Sequence, residues 1–127
     1  MSLTFLSPEW ADTLKASINA GDEFKQAAGD QAARIQQVIS ASDGVTRYWT
    51  TISEGVIDMG IGDLDAPDAT ITQSYETAVA LATRELSPVT AFMMGKIKVD
   101  GNMGLLLGLA GALGKIADAM AALDVQY

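Results

Sequence analysis

The run from Met103 to Leu113 constrains this chain most, because it holds no polar side chain. A helix that is apolar on every side must be covered by protein, by lipid or by an apolar guest. Extended to Leu123, the segment approaches the length of a membrane span, but its uninterrupted apolar part is about half of what a bilayer needs. Lys115 and Asp118 would each cost about 2.5–3.5 kcal/mol at a membrane centre. Burial within protein is therefore the preferred interpretation, with no stable membrane insertion.

Glycines interrupt this segment at a spacing of three or four residues, at positions Gly104, Gly108, Gly111 and Gly114. Each costs up to about 1 kcal/mol in a helix interior relative to alanine, so their presence needs a physical reason. Either they allow close packing of backbone, or they leave room for a molecule that is not protein. The sequence leaves both explanations open.

The residues before the apolar run predict a helix end, one strand and a helix start. Gly95 can take the left-handed conformation that ends a helix. Ile97 and Val99 alternate with charged neighbours, which is the pattern of a strand with one buried face. Asn102 is then a good N-cap for the apolar helix.

Composition limits the chemistry available to the chain. At 127 residues we expect one domain, residues 1–127, that buries roughly two-thirds of its unfolded surface. Cysteine and histidine are absent, which removes disulfides, thiol nucleophiles, serine–histidine chemistry and most zinc sites. The net charge of −8 disfavours nucleic acid and anionic membranes as partners. No signal-peptide pattern is found, and we expect a cytoplasmic protein.

Two turn motifs in the middle of the chain predict an antiparallel meander. Asp43-Gly44 and Glu54-Gly55 both suit two-residue hairpin loops, because glycine tolerates a positive φ. The first loop then pairs Ile39 with Tyr48 across the two strands.

The second loop pairs Ile52 with Ile57, and the two registers agree on which side chains share a face. That face holds Ile35, Ile39, Tyr48, Ile52, Ile57, Met59 and Ile61. Trp49 falls on the other face, across from Gly60, where an aromatic ring can cover a glycine. The shared apolar face predicts the side of the sheet that carries the core.

Hydroxyl side chains mark three helix starts. Ser7 and Ser87 are each followed by proline, and Ser74 precedes apolar residues at helical spacing. Asp22 can cap a further short helix, and Ala69 to Gln73 predicts another strand. The order of these elements predicts an α+β fold, with a sheet of about five mostly antiparallel strands and helices packed on one face.

Motifs for catalysis or metal binding are weak. The acidic loop from Gly62 to Asp68 lacks the glycine and glutamate spacing of a calcium loop, so we interpret it as a solvated connection. The run from Gly108 to Lys115 has the wrong spacing for a phosphate loop. Asp63 and Asp65 would need burial and separated pKa values to act as acid and base. We therefore predict no catalytic residue, no metal and no cofactor.

The segment FMMGKIKVDGNMG, with Ser87-Pro88 before it and a leucine-rich helix after it, resembles the sterol carrier protein type 2 family. The opening FLSPEW, the Glu54-Gly55 turn and the APDATIT stretch also resemble that family's pattern. The chain looks like a small bacterial single-domain member. The resemblance implies an apolar tunnel between the sheet and the C-terminal helices. It also implies binding and intracellular carriage of fatty acid, acyl-CoA or sterol-like ligands, without catalysis.

Apolar side chains of the strands and of the C-terminal half are the candidate ligand contacts. Methionines suit this role because an unbranched thioether adapts to an irregular guest; they serve equally as core residues. A carrier needs a cavity of about 300–1,000 Å³, and a long acyl chain gains on the order of 10 kcal/mol on burial before association costs. The predicted contacts are Tyr48, Ile52, Ile57, Met59, Phe92, Met93, Met94, Ile97, Met103, Leu106, Leu109 and Leu113.

Two other functions remain open at this point. The domain is an accessory or interaction module if its own side chains fill the pocket. It is an enzyme if Asp63 or Asp65 is activated to act on a bound lipid. For the carrier, the glycine-rich C-terminal helix is the candidate door.

Overall fold

The computed structural model describes residues 3–126, without the side chains of residues 88, 89 and 110. The strands are β1 (Leu3–Thr4), β2 (Ala33–Ala41), β3 (Gly44–Ser53), β4 (Val56–Ile61), β5 (Ala69–Ser74), β6 (Ile97–Gly101) and β7 (Val125–Gln126). The helices are α1 (Pro8–Ala20), α2 (Glu23–Ala28), α3 (Tyr75–Ala82), α4 (Pro88–Met93), α5 (Met103–Gly108) and α6 (Ala110–Ala122).

Within residues 3–126, five strands form a mixed sheet in the order β4-β3-β2-β5-β6. The β2–β5 pair is parallel, and the other three neighbouring pairs are antiparallel. The pair is parallel because the connection after β4 passes back across β3 and β2 before β5 begins. A separate short parallel pair joins β1 to β7. The predicted α+β fold, with a mostly antiparallel sheet of five strands, is confirmed.

The register of the second hairpin is confirmed. Ile52 pairs with Ile57 across a turn formed by Glu54 and Gly55. Both turn residues have positive φ, 53° and 78°, as a two-residue hairpin loop with the right-handed twist of its strands requires.

The predicted register of the first hairpin is wrong by two residues. Ile39 pairs with Thr46, not with Tyr48, because Ala41 pairs with Gly44 and the turn consists of Ser42-Asp43. A shift of two residues leaves every side chain on the same face, since the side chains of a strand alternate with period two. The face assignment therefore survives the error in pairing.

The face predicted to carry the core is buried, apart from its last residue. Ile61 ends the edge strand β4 and is 39% exposed. On the opposite face Trp49 covers Gly60, and a Cβ atom at Gly60 would lie 2.5 Å from the indole ring. The buried members of the predicted face are Ile35, Ile39, Tyr48, Ile52, Ile57 and Met59.

The predicted hydroxyl and amide N-caps are confirmed. In each case the side-chain oxygen accepts a hydrogen bond from the backbone amide three residues later, which satisfies one of the free donors of the first turn. These caps are Ser7, Ser74, Ser87 and Asn102. Asp22 also occupies the N-cap of its helix, but its side chain makes no capping hydrogen bond.

The C-terminal apolar segment differs from the expected single covered helix. Its backbone leaves the helical path at Leu109, directly after Gly108, where helix propensity is low. Leu106 and Leu109 are buried, whereas Leu107 is 69% exposed. One side of this segment therefore faces solvent. In the described part of the chain, no helix is long and apolar enough to cross a bilayer.

The acidic loop that follows β4 is tied to the outer face of the sheet by one buried glutamine. The Gln36 side chain is 5% exposed. Its Nε2 donates to the carbonyl oxygens of Tyr48 and Gly62 at 3.0 and 3.1 Å. Its Oε1 accepts from the Leu64 amide at 2.6 Å. The glutamine thus holds the crossover that makes β5 parallel to β2.

We expect Gly101→Ala to lower the free energy of unfolding by about 1–3 kcal/mol. Gly101 has a φ of 105°, and a Cβ atom there would lie 2.5 Å from the carbonyl oxygen of Asp68. That oxygen also accepts from the Asn102 amide at 2.9 Å, so it cannot move without cost. Urea unfolding measures the change.

Gly114→Ala is the matched control for that experiment. A Cβ atom at Gly114 would meet nothing within 4 Å, and alanine favours a helix interior over glycine by up to about 1 kcal/mol. We expect this variant to be as stable as the wild type or more so. Equal stability of Gly101→Ala and the wild type would contradict the prediction.

Candidate functional site

A cavity of about 120 Å³ lies between the inner face of the sheet and the helices α3 and α6. Strands β2, β3, β5 and β6 form its floor, and the two helices cover it. Its position is that expected for a ligand tunnel, but its volume is well below the roughly 300–1,000 Å³ of a typical ligand site. The lining residues are Phe5, Ile35, Gln37, Tyr48, Thr50, Ile71, Gln73, Ala78, Leu81, Ile97, Leu113, Ile116, Ala117 and Met120. The structure therefore shows a small cavity, not the expected tunnel.

Part of the predicted contact set lines this cavity. Tyr48 and Ile97 lie on its floor, and Leu113 lies on the helix above it. Other predicted contacts are buried in the core beside the cavity: Ile52, Ile57, Met59, Leu106 and Leu109. Met103 is half-buried at the start of α5. These core positions follow from the same face of the sheet but pack against protein.

The remaining predicted contacts lie at the protein surface. Phe92, Met93 and Met94 are 45%, 80% and 60% exposed, and they do not line the cavity. Helix α4 is short, packs beside the edge strand β6 and buries Ala91. Successive side chains of a helix point in different directions, so burying Ala91 turns its neighbours outward.

Helix α6 supplies lining residues that the sequence analysis missed. Leu113, Ile116, Ala117 and Met120 all line the cavity. Their spacing of three, four and seven residues is that of one helix face, and this signal was available in the sequence. The floor also contains three polar side chains that were not predicted: Gln37, Thr50 and Gln73.

Helix α6 is held over the cavity by apolar packing, with Ala112 and Ile116 buried, and by exposed ion pairs. The helix packs against α1, α2 and α3. It carries two ion pairs at exposed positions, Lys115 with Glu23 at 3.6 Å and Asp118 with Arg84. Exposed ion pairs of this kind typically contribute about 0–1 kcal/mol.

The surroundings of the glycines in the C-terminal segment agree neither with close backbone packing nor with room left for a ligand. A Cβ atom at Gly114 would meet nothing within 4 Å, and one at Gly108 would meet only the side chain of Gln31, at 3.1 Å. These glycines are therefore not required by close backbone packing. In the described structure they do not line the cavity either. Their remaining physical effect is to lower the stability of the helices that contain them, and Gly111 and Gly114 lie in α6, which covers the cavity.

The cavity floor is electrically neutral. Of the lining residues that the structure describes, none carries a formal charge at neutral pH. Burial raises the pKa of the Tyr48 phenol above its ordinary value, because desolvation disfavours the phenolate. The Tyr48 ring packs edge-to-face against Trp10 at 5.4 Å, and Trp10 packs in the same way against Phe5 at 5.2 Å.

We expect the Tyr48→Phe variant to resist alkaline unfolding better than the wild type. Above the ordinary tyrosine pKa of 10.0, the unfolded chain releases the phenol proton while the folded chain keeps it. Folding stability therefore falls as the pH rises, by about 1.4 kcal/mol per pH unit for this group. The variant lacks this loss.

Urea unfolding of both proteins at pH 8 and pH 11 measures the effect. Between these pH values, the stability of the variant relative to the wild type should rise by about 1.4 kcal/mol. Other titrating groups affect both proteins alike. A stability difference that does not change with pH would show that Tyr48 ionises normally in the folded state.

The carboxylates considered for catalysis lie away from the cavity. Asp63 and Asp65 are exposed in the acidic loop, on the outer side of the sheet. The Arg47 guanidinium pairs with the Asp63 carboxylate at 3.3 Å, and the Arg34 guanidinium donates to the Asp65 carbonyl oxygen at 2.6 Å. The sheet separates both carboxylates from a ligand bound on its inner face.

Comparison with protein families identifies the domain. The model of the SCP-2 sterol transfer family matches residues 13–114, a span that runs from α1 into α6 and includes the whole sheet. The chain belongs to this family. Membership supports lipid binding and transport as the general role of the domain, in agreement with the resemblance seen in the sequence.

Relatives contain a similar region as a small part of longer proteins. Sterol carrier protein 2 of Gallus gallus is 31% identical over 91 residues, covering 70% of this chain and 16% of that protein. Peroxisomal multifunctional enzyme A of Dictyostelium discoideum is 32% identical over 108 residues, covering 75% of this chain and 24% of that protein. The chain thus spans about a quarter or less of these relatives.

The fold itself matches that of solved members. A crystal structure of sterol carrier protein 2 superposes with a TM-score of 0.81 at 15% sequence identity, covering 94% of this chain and 98% of that one. At such low identity the likeness concerns the arrangement of helices and strands. It supports the sheet order and the position of α6 above the sheet.

Proposed function

We propose that the domain binds apolar, lipid-like ligands between its sheet and helix α6 and carries them without chemical change. Fatty acids, acyl-CoA and sterol-like molecules are the ligand classes considered. The observation that carries the proposal is the apolar cavity between Ile35, Ile71 and Ile97 on the sheet and Leu113 and Ile116 on the helix. Family membership over residues 13–114 supports it independently.

Ligand binding then requires the cavity to grow. A volume of about 120 Å³ has room for roughly four groups the size of a water molecule, far less than a long acyl chain needs. Helix α6 is the element proposed to move, because it covers the cavity and the ion pairs that it makes are exposed. Its glycines Gly111 and Gly114 further reduce the cost of displacing it. Helix α6 would thus act as the door.

The neutral lining favours carriage over catalysis. General acid–base chemistry needs a titratable group within hydrogen-bond reach of the ligand. Within residues 3–126, Tyr48 is the titratable side chain that lines the cavity. A tyrosine phenol is protonated near neutral pH at its ordinary pKa of 10.0, and burial raises the pKa of Tyr48 further. Relatives include an enzyme, but the chain spans only a quarter of that protein.

Lipid analysis of the purified protein tests the proposal. Native mass spectrometry would detect any co-purified ligand, and solvent extraction would identify it. Delipidated protein is then titrated with a fluorescent fatty acid, for which we expect a dissociation constant in the micromolar range or below. If no lipid co-purifies and the added probe does not bind, the carrier proposal is wrong.

A filled-pocket interaction module is the second candidate function. The small cavity favours it, as do the exposed apolar side chains Phe92, Met93 and Met94. Exposed apolar groups of this kind often mark contact sites for other proteins. The same titration discriminates the two functions, because a module with a filled pocket binds no apolar probe whether or not it is delipidated.

A further inference from the structure

Two glutamine side chains face each other across neighbouring strands on the cavity floor. Gln37 lies on β2 and Gln73 on β5, and both line the cavity. The Gln73 Nε2 donates to the Gln37 Oε1 at 3.4 Å, which is a long bond. The Gln73 Oε1 is buried and has no hydrogen-bond partner in the structure, and the residue is 8% exposed.

The outer face of the same sheet shows how this protein treats a buried glutamine that only supports the fold. Gln36 is the neighbour of Gln37 in sequence, and both polar atoms of its side chain bond to backbone groups of the chain. Most buried polar groups in native proteins are satisfied in this way. The vacant acceptor of Gln73 is therefore an exception, and it belongs to a residue that lines the cavity.

We propose that this amide pair, with Thr50 on the same cavity floor, is a subsite for a hydroxyl group of the bound ligand. This inference rests on the proposed function and restricts the class of ligand. It assigns the cavity to neutral hydroxyl-bearing lipids, such as long-chain alcohols, in preference to ionised carboxylates and plain hydrocarbons.

A hydroxyl group, an ionised carboxylate and a plain hydrocarbon should differ in how favourably they bind at this subsite. A hydroxyl group donates to the Gln73 Oε1 and can accept from an amide N–H at the same time. An ionised carboxylate only accepts, and the described lining offers no cation to compensate its charge. A hydrocarbon leaves the Gln73 acceptor buried without a partner. Rotation of the amide does not change this order, because the hydroxyl suits either orientation.

Three ligands of equal chain length test the inference: 1-dodecanol, dodecanoate at pH 8 and dodecane. Their dissociation constants are measured by displacement of a fluorescent apolar probe from the wild type and two variants. Gln73→Met removes the amide with little change of shape, and Thr72→Val changes the adjacent residue, which points to the other face of β5. We expect the wild type to prefer dodecanol by roughly tenfold or more.

In Gln73→Met the preference for dodecanol over dodecane should disappear, with the affinity for dodecane equal to or above that of the wild type. Dodecanoate should remain the weakest ligand, because the lining still offers no cation. Thr72→Val should keep the preference. Equal affinity of the wild type for the three ligands overturns the inference and leaves the carrier function intact; a water would then satisfy Gln73. If the wild type binds none of them, the carrier function fails as well. The wild-type comparison decides the matter even where Gln73→Met does not fold.

Discussion

Ala117→Phe is expected to lower the affinity for apolar ligands by about 100-fold. Ala117 is half-buried on α6 and lines the cavity, so a benzyl side chain in its place would occupy most of the about 120 Å³ now free. Displacing about four methylene groups of a ligand costs about 3 kcal/mol at 0.8 kcal/mol each. Titration with a fluorescent fatty acid measures this loss.

Ala121→Phe is the matched control for the cavity-filling variant. Ala121 lies on the same helix but is exposed and does not line the cavity. Added bulk in a packed region costs about 1–3 kcal/mol of stability, so circular dichroism must show that both variants are folded. Unchanged ligand affinity in a folded Ala117→Phe protein would place the binding site elsewhere.

Trp10→Ala is expected to lower the free energy of unfolding by about 3–5 kcal/mol. The Trp10 side chain is fully buried and packs edge-to-face between Phe5 and Tyr48, so its removal opens a hole between α1 and the sheet. A loss of this size takes a large part of the roughly 5–15 kcal/mol that stabilises a typical domain. Urea unfolding measures it.

Trp10→Phe serves as the milder companion variant. Phenylalanine keeps an aromatic ring at the position and removes the indole N–H, which is buried without a hydrogen-bond partner. We expect a clearly smaller loss than for alanine. Trp49→Ala provides a second comparison, because Trp49 is only half-buried on the outer face. A loss below about 1 kcal/mol for Trp10→Ala would show that the core does not depend on this ring.

Side-chain alternation predicted the buried face of the sheet more reliably than the strand pairing. The first hairpin was placed two residues out of register, yet Ile35, Ile39 and Tyr48 are buried as expected. Face depends only on whether a residue number is odd or even along the strand. Pairing depends on where the chain turns, and Ser42-Asp43 competes with Asp43-Gly44 for that position.

The residues that line the cavity were predicted less completely than the buried face of the sheet. Phe92, Met93 and Met94 were chosen because they are apolar and begin the segment FMMGKIKVDGNMG, but they lie on the surface. Whether an apolar residue of a short helix faces inward depends on how that helix meets the sheet edge. Gln37 and Gln73 were not chosen because polar residues are normally placed outside. Their position became visible only with the strands assembled.

The sequence by itself determined the family, the order along the chain of the five strands of the main sheet, the capping residues such as Ser74 and Asn102, and the sheet face that carries the core. Each of these depends on residues close together in the chain, so local chemistry is enough to specify it. Only the tertiary structure decided that β5 runs parallel to β2, which side chains of α6 face the sheet and how much space remains beneath that helix. These features arise from contacts between distant segments. The volume of a cavity depends on small differences in how the sheet and the helices pack together.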